Sequence, residues 1–308
     1  MTKITAPGVY EISFEQYLGD TCDGVSISAH GLAHFLTREE GGTATPAHWW
    51  AHSVYNPNRE PEVSTPALNI GRAAHALVLG EPEFNKYFAV LPFDSLRTNE
   101  AKAWKEKIEA EGRTMVRDTE LAMIQRMAAA VKKSPQVARA FAAGKAEQSL
   151  IWRDEATGVW VKSRPDWLPD DPTQRLILDF KAHADIAPDK FARDAFAFNY
   201  HLQAAMQRQG VREVFKIEPI GVGHVVQEKE PPFLAELRMF RPTALDYGQR
   251  LFRRALDRFA ECWQKQRWPG YTTEASYIEE PYTVAKRIEN DQDHGSDEDY
   301  GAGYAAAV

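Results

Sequence analysis

The chain has 308 residues, enough for one large domain or two small ones. Hydrophobic residues make up 44% and charged residues 26%, an ordinary globular composition that needs neither disulfides nor a structural metal to fold. The net charge of −7 excludes a uniformly basic coat for nucleic acid. Six acids, however (Glu289, Asp291, Asp293, Asp297, Glu298 and Asp299), crowd one stretch near the C-terminus, so the rest is nearly neutral and able to hold a local basic channel.

Cys22 and Cys262 lie far apart and no CxxC occurs, which excludes a cysteine-ligated zinc ribbon or iron–sulfur cluster and fits a reducing compartment. The N-terminal residues lack the apolar core of a signal peptide, and no run approaches the roughly 18 apolar residues of a membrane span. The expectation is a soluble protein of the cytoplasm.

In chain order, residues 26–36 read as a short helix opening on Ser26 or Ser28. After a loop rich in Gly, Pro and Asn, Thr65 and Pro66 read as N-cap and first position of a helix ending at Gly80. Residues 98–111 are strongly helical, and 117–142 predict one or two helices around Pro135. The character changes at 147. QSLIWRD and GVWVKSRPDWL are β-rich runs joined by a turn at Glu155–Gly158, and RLILDFKAH is a further strand. Residues 188–208 read as helix, IGVGHVVQ and LAELRMF as two strands, and 243–267 as a long amphipathic helix whose Phe252, Leu256, Phe259 and Trp263 recur at core spacing. The order predicts an α/β fold with a central mixed sheet and a helical N-terminal part. The domain is expected to span 1–287, with helices over about 26–146 and a core over about 147–268, before an acidic, mobile tail at 288–308.

Alternate strand residues share a face. Lys162, Arg164 and Asp166 are therefore expected on one face of the first strand. Ile177, Asp179 and Lys181 are expected together on the next, opposite Leu176, Leu178 and Phe180. Charges on an otherwise apolar strand need partners. Asp166 and Asp179 on neighbouring strands would suit a hard divalent cation, with Lys181 orienting or deprotonating a water and offsetting phosphate charge. The competing reading is a salt-bridged strand pair, Asp179 with Arg164 or Lys181, without chemistry.

Glu147, the run Lys162-Ser163-Arg164-Pro165-Asp166-Trp167, Asp179-Phe180-Lys181, and Tyr200-His201-Leu202-Gln203 together resemble the PD-(D/E)xK nuclease superfamily, most closely its RecE-type branch, the exonuclease VIII-like nucleases of phages and prophages. Gly71 and His75 in GRAAH, Arg97-Thr98, the EAKAW run and EKEPPF are similar to the same branch, so the resemblance spans about Ser26 to Trp268. It implies a restriction-endonuclease-like core and a Mg²⁺-dependent exodeoxyribonuclease, with Mn²⁺ as a substitute. The implied ligands are His75, Asp166, Asp179 and the Phe180 backbone carbonyl. Lys181 is implied as the catalytic lysine, Glu147 as an acid serving a second metal or its water, and Gln203 with Tyr200 as the helix motif facing the terminal nucleotide. The branch further implies 5′-to-3′ digestion of double-stranded DNA from its ends, an annealing partner of the RecT type, a homo-oligomeric ring, no membrane, and a bacterial host's cytoplasm. An endonuclease of the same core, or an inactive DNA-binding scaffold, are the alternatives. One departure stands out: Gln207 occupies a position where many relatives carry tyrosine.

Bland roles stand beside these. His75 also fits a core histidine and Glu147 a cap or surface acid. Arg164 and Lys162 fit either phosphate contacts or internal partners, while Arg97 is expected by the resemblance to contact DNA. Trp152, Trp160 and Trp167 read as core, and Arg250, Arg253, Arg254 and Arg258 as a solvated helix face.

Overall fold

The computed structural model describes residues 2–60, 66–272 and 277–292, which form two compact units, 1–270 and 271–308. Thr65 and the acidic residues from 293 onward lie outside the described residues. The first unit opens with β1 (Gly8–Tyr10), α1 (Phe14–Leu18), β2 (Ser26–Ser28) and α2 (Ala29–Leu32), the last continued by a 3₁₀ turn at Ala33–Phe35. The helix expected from Ser26 thus starts only after Ser28. Ser26-Ile27-Ser28 is instead a parallel strand, because Ile27 and its neighbours pair with a later strand that local periodicity cannot reveal.

The helical part follows as α3 (Pro46–His52), α4 (Pro66–Leu79), α5 (Glu81–Tyr87), β3 (Phe88–Val90), α6 (Asn99–Ala110), β4 (Thr114–Val116), α7 (Asp118–Lys133) and α8 (Pro135–Ala140). Thr98 caps α6 by accepting from the Ala101 N–H, and Pro135 separates α7 from α8, as its missing N–H requires. Ala73, Ala74 and Ala76 bring α4 close against Ile124 and Met127 of α7, which turns the His75 side of the helix toward the sheet.

The β-rich part comprises β5 (Gly144–Ala146), β6 (Ser149–Arg153), β7 (Trp160–Ser163), β8 (Trp167–Pro169) and β9 (Ile177–His183), then α9 (Pro188–Ala197), α10 (Tyr200–Phe215), β10 (Val222–Glu228), β11 (Ala235–Met239) and α11 (Pro242–Lys265). The strands form a four-stranded sheet, β1-β6-β7-β2, and a five-stranded sheet, β11-β10-β9-β8-β5, beside the small β3-β4 pair. In the five-stranded sheet β9 and β10 are parallel and the other pairs antiparallel.

The single strand expected over 158–168 is two strands in two sheets. β7 ends at Ser163, Pro165 has no N–H to continue a ladder, and the chain crosses at Arg164–Asp166 into β8. The helix expected over 188–208 is likewise two, broken where Asn199 adopts the left-handed conformation (φ +57°). α11 buries Phe252, Leu256 and Phe259 with α10 against the four-stranded sheet, while Trp263 is half-buried. Gly248 permits the close crossing of α10 and α11, since a Cβ there would come within 2.2 Å of the His201 carbonyl oxygen. Trp152 and Trp160 are core, as expected.

The second unit contains α12 (Tyr282–Gln292), which takes in the first residues of the segment read as tail. No described helix is long and apolar enough to cross a membrane.

Candidate metal centre and catalytic cleft

β9 is buried on both sides, so its alternation sends side chains to two different environments. Leu178 and Phe180 pack with Val131 and Val137 of the α7–α8 side. Ile177, Asp179 and Lys181 face α10 instead, the division read from the sequence. Pairing of β8 with β9 is confined to Trp167 opposite Leu178. Two residues beyond Leu178, the Phe180 N–H emerges on the β8 edge and donates to Asp166 Oδ2 at 2.5 Å. A residue's own N–H and C=O point to the same edge of a strand, so the Phe180 carbonyl lies on the Asp166 side too.

Three ligand-type side chains meet at this edge. His75 reaches it from α4, its ring stacked on Phe180 (centroids 5.8 Å apart), with Nε2 3.1 Å from Asp166 Oδ2 and 3.8 Å from Glu147 Oε1. Glu147 follows β5 in a left-handed conformation (φ +55°), its N–H donating to the Asp166 carbonyl. Donor atoms of His75, Glu147 and Asp166 lie within 4.8 Å of one another.

The electrostatics follow from that crowding. Burial works against a protonated His75, but the Asp166 and Glu147 carboxylates outweigh it and raise its pKa. Burial and the nearby Asp166 charge push Glu147 up. Burial opposes the Asp166 anion as well, yet His75, Lys181 and the Phe180 N–H hold its pKa below normal. His75 Nε2 is buried and has no hydrogen bond of good geometry. A buried, unsatisfied imidazole nitrogen facing two carboxylates fits an oxygen-preferring divalent ion that tolerates one nitrogen, such as Mg²⁺ or Mn²⁺.

Asp179 lies outside this trio. Fully buried, it pairs with Lys181 Nζ at 2.8 Å through Oδ2 and accepts from Gln207 Nε2 at 2.9 Å through Oδ1. Burial drives its carboxyl upward against the pull of Lys181. Burial would lower Lys181, but Asp179 and Asp166 overcome it and keep the ammonium charged. Lys181 Nζ also donates to Gln203 Oε1 at 3.1 Å. The Asp166–Asp179 carboxylate pair read from the sequence is thus divided: Asp166 joins His75 and Glu147 in a metal-type cluster, and Asp179 forms the salt-bridged pair with Lys181. Gln207, noted only as a departure, holds Asp179; its place one turn after Gln203 on α10 was the available signal.

Arg164 and Lys162 are buried residues of the cleft lining, each tied to internal partners. Arg164 binds Glu147 Oε2 at 2.5 Å and the Ile12 carbonyl, and is 4% exposed. Lys162 donates to the Gly19 carbonyl beside the buried Tyr17 ring, and burial lowers its pKa to about 8. Tyr17, which cradles both cations, carried no sequence signal. Arg97 is exposed before α6 and does not line the cleft. Of the arginines on α11, Arg253 pairs with Asp154, while Arg254 and Arg258 pair with Glu40, so that face is partly tied down.

His75, Glu147, Asp166, Tyr200 and Gln203 line a cleft of about 1220 Å³ whose lining also includes four histidines, His30, His34, His48 and His52. The mixed sheet, the acid cluster lining the cleft and the charged lysine near it agree with the PD-(D/E)xK resemblance read from the sequence.

The chain belongs to the family described as "PDDEXK-like domain of unknown function (DUF3799)", whose model matches residues 35–281. A crystal structure of a "Putative exonuclease" from Eubacterium rectale at 2.19 Å resolution is similar in fold, with a TM-score of 0.59 at 14% identity over 90% of this chain and 98% of that one. No curated protein matches the sequence.

Proposed function

We propose that the chain is a divalent-metal-dependent exodeoxyribonuclease that digests linear duplex DNA from its ends. The observation that carries the reading is the His75–Glu147–Asp166 cluster lining the cleft, with the buried Asp179–Lys181 pair near enough for the Lys181 charge to act on Asp166. His75, Glu147, Asp166 and the Phe180 carbonyl would hold the ion, with Asp179 the nearest additional carboxylate. A bound divalent ion there would neutralise phosphate charge and lower the pKa of a coordinated water.

The chain's own groups supply the rest. Lys181, kept protonated, stabilises negative charge developing on the phosphate or orients the attacking water. Arg164 holds Glu147 in its site-facing position. Gln203 steadies Lys181 and, with Tyr200, faces the cleft where a terminal nucleotide would lie. The RecE-type resemblance supports 5′-to-3′ polarity, a 3′ single strand as product, a RecT-type annealing partner and a ring assembly.

The test compares linear with covalently closed duplex in Mg²⁺, with end-labelled products sized by mass. Exonuclease action consumes only the linear form and releases label from the 5′ end first. Cleavage of the closed form would make this an endonuclease, and no cleavage of either would leave a binding scaffold.

A further inference from the structure

Lys181 has a third neighbour. Beyond Asp179 and Gln203, its Nζ lies 4.8 Å from the centroid of the Tyr200 ring, so the π-face takes the side of the ammonium that the two hydrogen-bonding partners leave. The Tyr200 ring is itself clamped. One face stacks on the buried His224 (5.9 Å, 15°), and the phenol oxygen lies 3.2 Å from His183 Nε2. His183 is buried, with Phe191 packed edge-on and Nδ1 3.5 Å from Asp194 Oδ2. Asp194 is held in turn by Lys190 at 3.1 Å, one turn earlier on α9.

The sequence produces this line of contacts by two local rules. His183 stands two residues beyond Lys181 on β9, so both project to the same face. The left-handed Asn199 starts α10 afresh, which sets Tyr200 at its first position between them. The Asp194 carboxylate favours the proton on Nδ1, leaving Nε2 to accept from the phenol. A phenol that donates its proton gains electron density in the ring, which strengthens attraction to an ammonium on its face.

From this geometry we infer that His183 and Asp194 are positioning residues for Lys181, acting through Tyr200. A lysine has a long flexible stem, and a misplacement of about 1 Å at a reacting group costs on the order of a hundredfold in rate. His183 and Asp194 touch no substrate; they fix the ring against which the ammonium rests. The inference rests on the nuclease reading of Lys181, so its experiment includes Lys181→Ala as a separate arm.

The experiment measures single-turnover cleavage of end-labelled duplex at saturating enzyme and Mg²⁺, with DNA-end affinity, Mg²⁺ affinity and melting temperature on the same preparations. Tyr200→Phe and His183→Leu should slow cleavage by about ten- to a hundredfold, with Mg²⁺ affinity within about twofold of the parent in both and DNA-end affinity within about twofold in His183→Leu. His183→Gln, which keeps an acceptor for the phenol, should recover most of the loss, and Asp194→Ala should give a smaller slowing. Because the two act in one line, the Tyr200→Phe/His183→Leu double variant should be no slower than the slower single. A His183→Leu rate per folded molecule within about twofold of the parent, or additive single effects, would overturn the inference. Should His183→Leu not fold, Tyr200→Phe and His183→Asn decide on the same criteria. Failure of the parent to cleave, or full activity in Lys181→Ala, would instead bring down the nuclease reading itself.

Discussion

Removing either partner of the Asp179–Lys181 pair should do two separable things. The two charges lie 2.8 Å apart, with Asp179 fully buried and Lys181 17% exposed. At an effective dielectric of about 20 that separation corresponds to roughly 6 kcal/mol of attraction, most of it offset by the cost of taking both ions out of water. Removing one partner leaves the other charge buried and unpaired, at a cost of about 3–5 kcal/mol, or roughly 6–20 °C in melting temperature for a domain of this size. Asp179→Asn should therefore destabilise the protein at every pH where Lys181 stays charged. Lys181→Met should cost less at low pH, because burial already raises the Asp179 carboxyl and a proton can neutralise it, and more as pH rises. The Asp179→Asn/Lys181→Met double variant removes both charges together and should return to within about 1 kcal/mol of the parent. Cleavage should not return with it: all three variants should lose several powers of ten in single-turnover rate. Denaturant titration from pH 5 to 8 and single-turnover cleavage on the same samples make the comparison. A double variant that regains activity with its stability would show that the pair only supports the fold. Strictly additive destabilisation would show that the two charges do not interact.

Because the carboxylates raise the pKa of His75, the metal-free site gains stability from the charged imidazole below its unfolded pKa of about 6.5, and loses it as pH rises through the higher folded value. An ion must displace that proton, so calorimetry in buffers of different protonation enthalpy should find up to one proton released per Mg²⁺. His75→Ala should abolish this release and weaken Mg²⁺ by about tenfold or more, with partial recovery of activity in high Mn²⁺. Arg164→Met should lower melting temperature and metal affinity while leaving DNA-end affinity unchanged, since the guanidinium serves Glu147; a selective loss of DNA affinity would make it a phosphate contact. Deleting residues 293–308 should leave cleavage within a few-fold of the full chain, as measured on end-labelled duplex.

The strand-borne Asp179 and Lys181 were legible in the sequence because strand alternation is local, whereas His75, Glu147 and Gln203 were named by the family resemblance. Strand alternation put Asp179 and Lys181 on one face and Phe180 on the other, whatever the strand paired with. Thr98 and Pro135 marked helix boundaries by their own hydrogen-bonding capacity. Other features were set by partners distant in the chain. Ser26–Ser28 became a strand because β7 offered it an edge, and Pro165 divided an apparent single strand between two sheets. The assignment of carboxylates also waited on tertiary structure. Short pairing of β8 with β9 left the Phe180 N–H for Asp166, and α4 brought His75 to that edge with Glu147, whereas α10 laid Gln207 and Gln203 over Asp179 and Lys181. Residue types fixed what chemistry was available, since only carboxylates, an imidazole and an ammonium can do it. Which carboxylate faces which cation depends on distances of a few ångströms between segments far apart in the chain, and those are decided when helices and sheets pack.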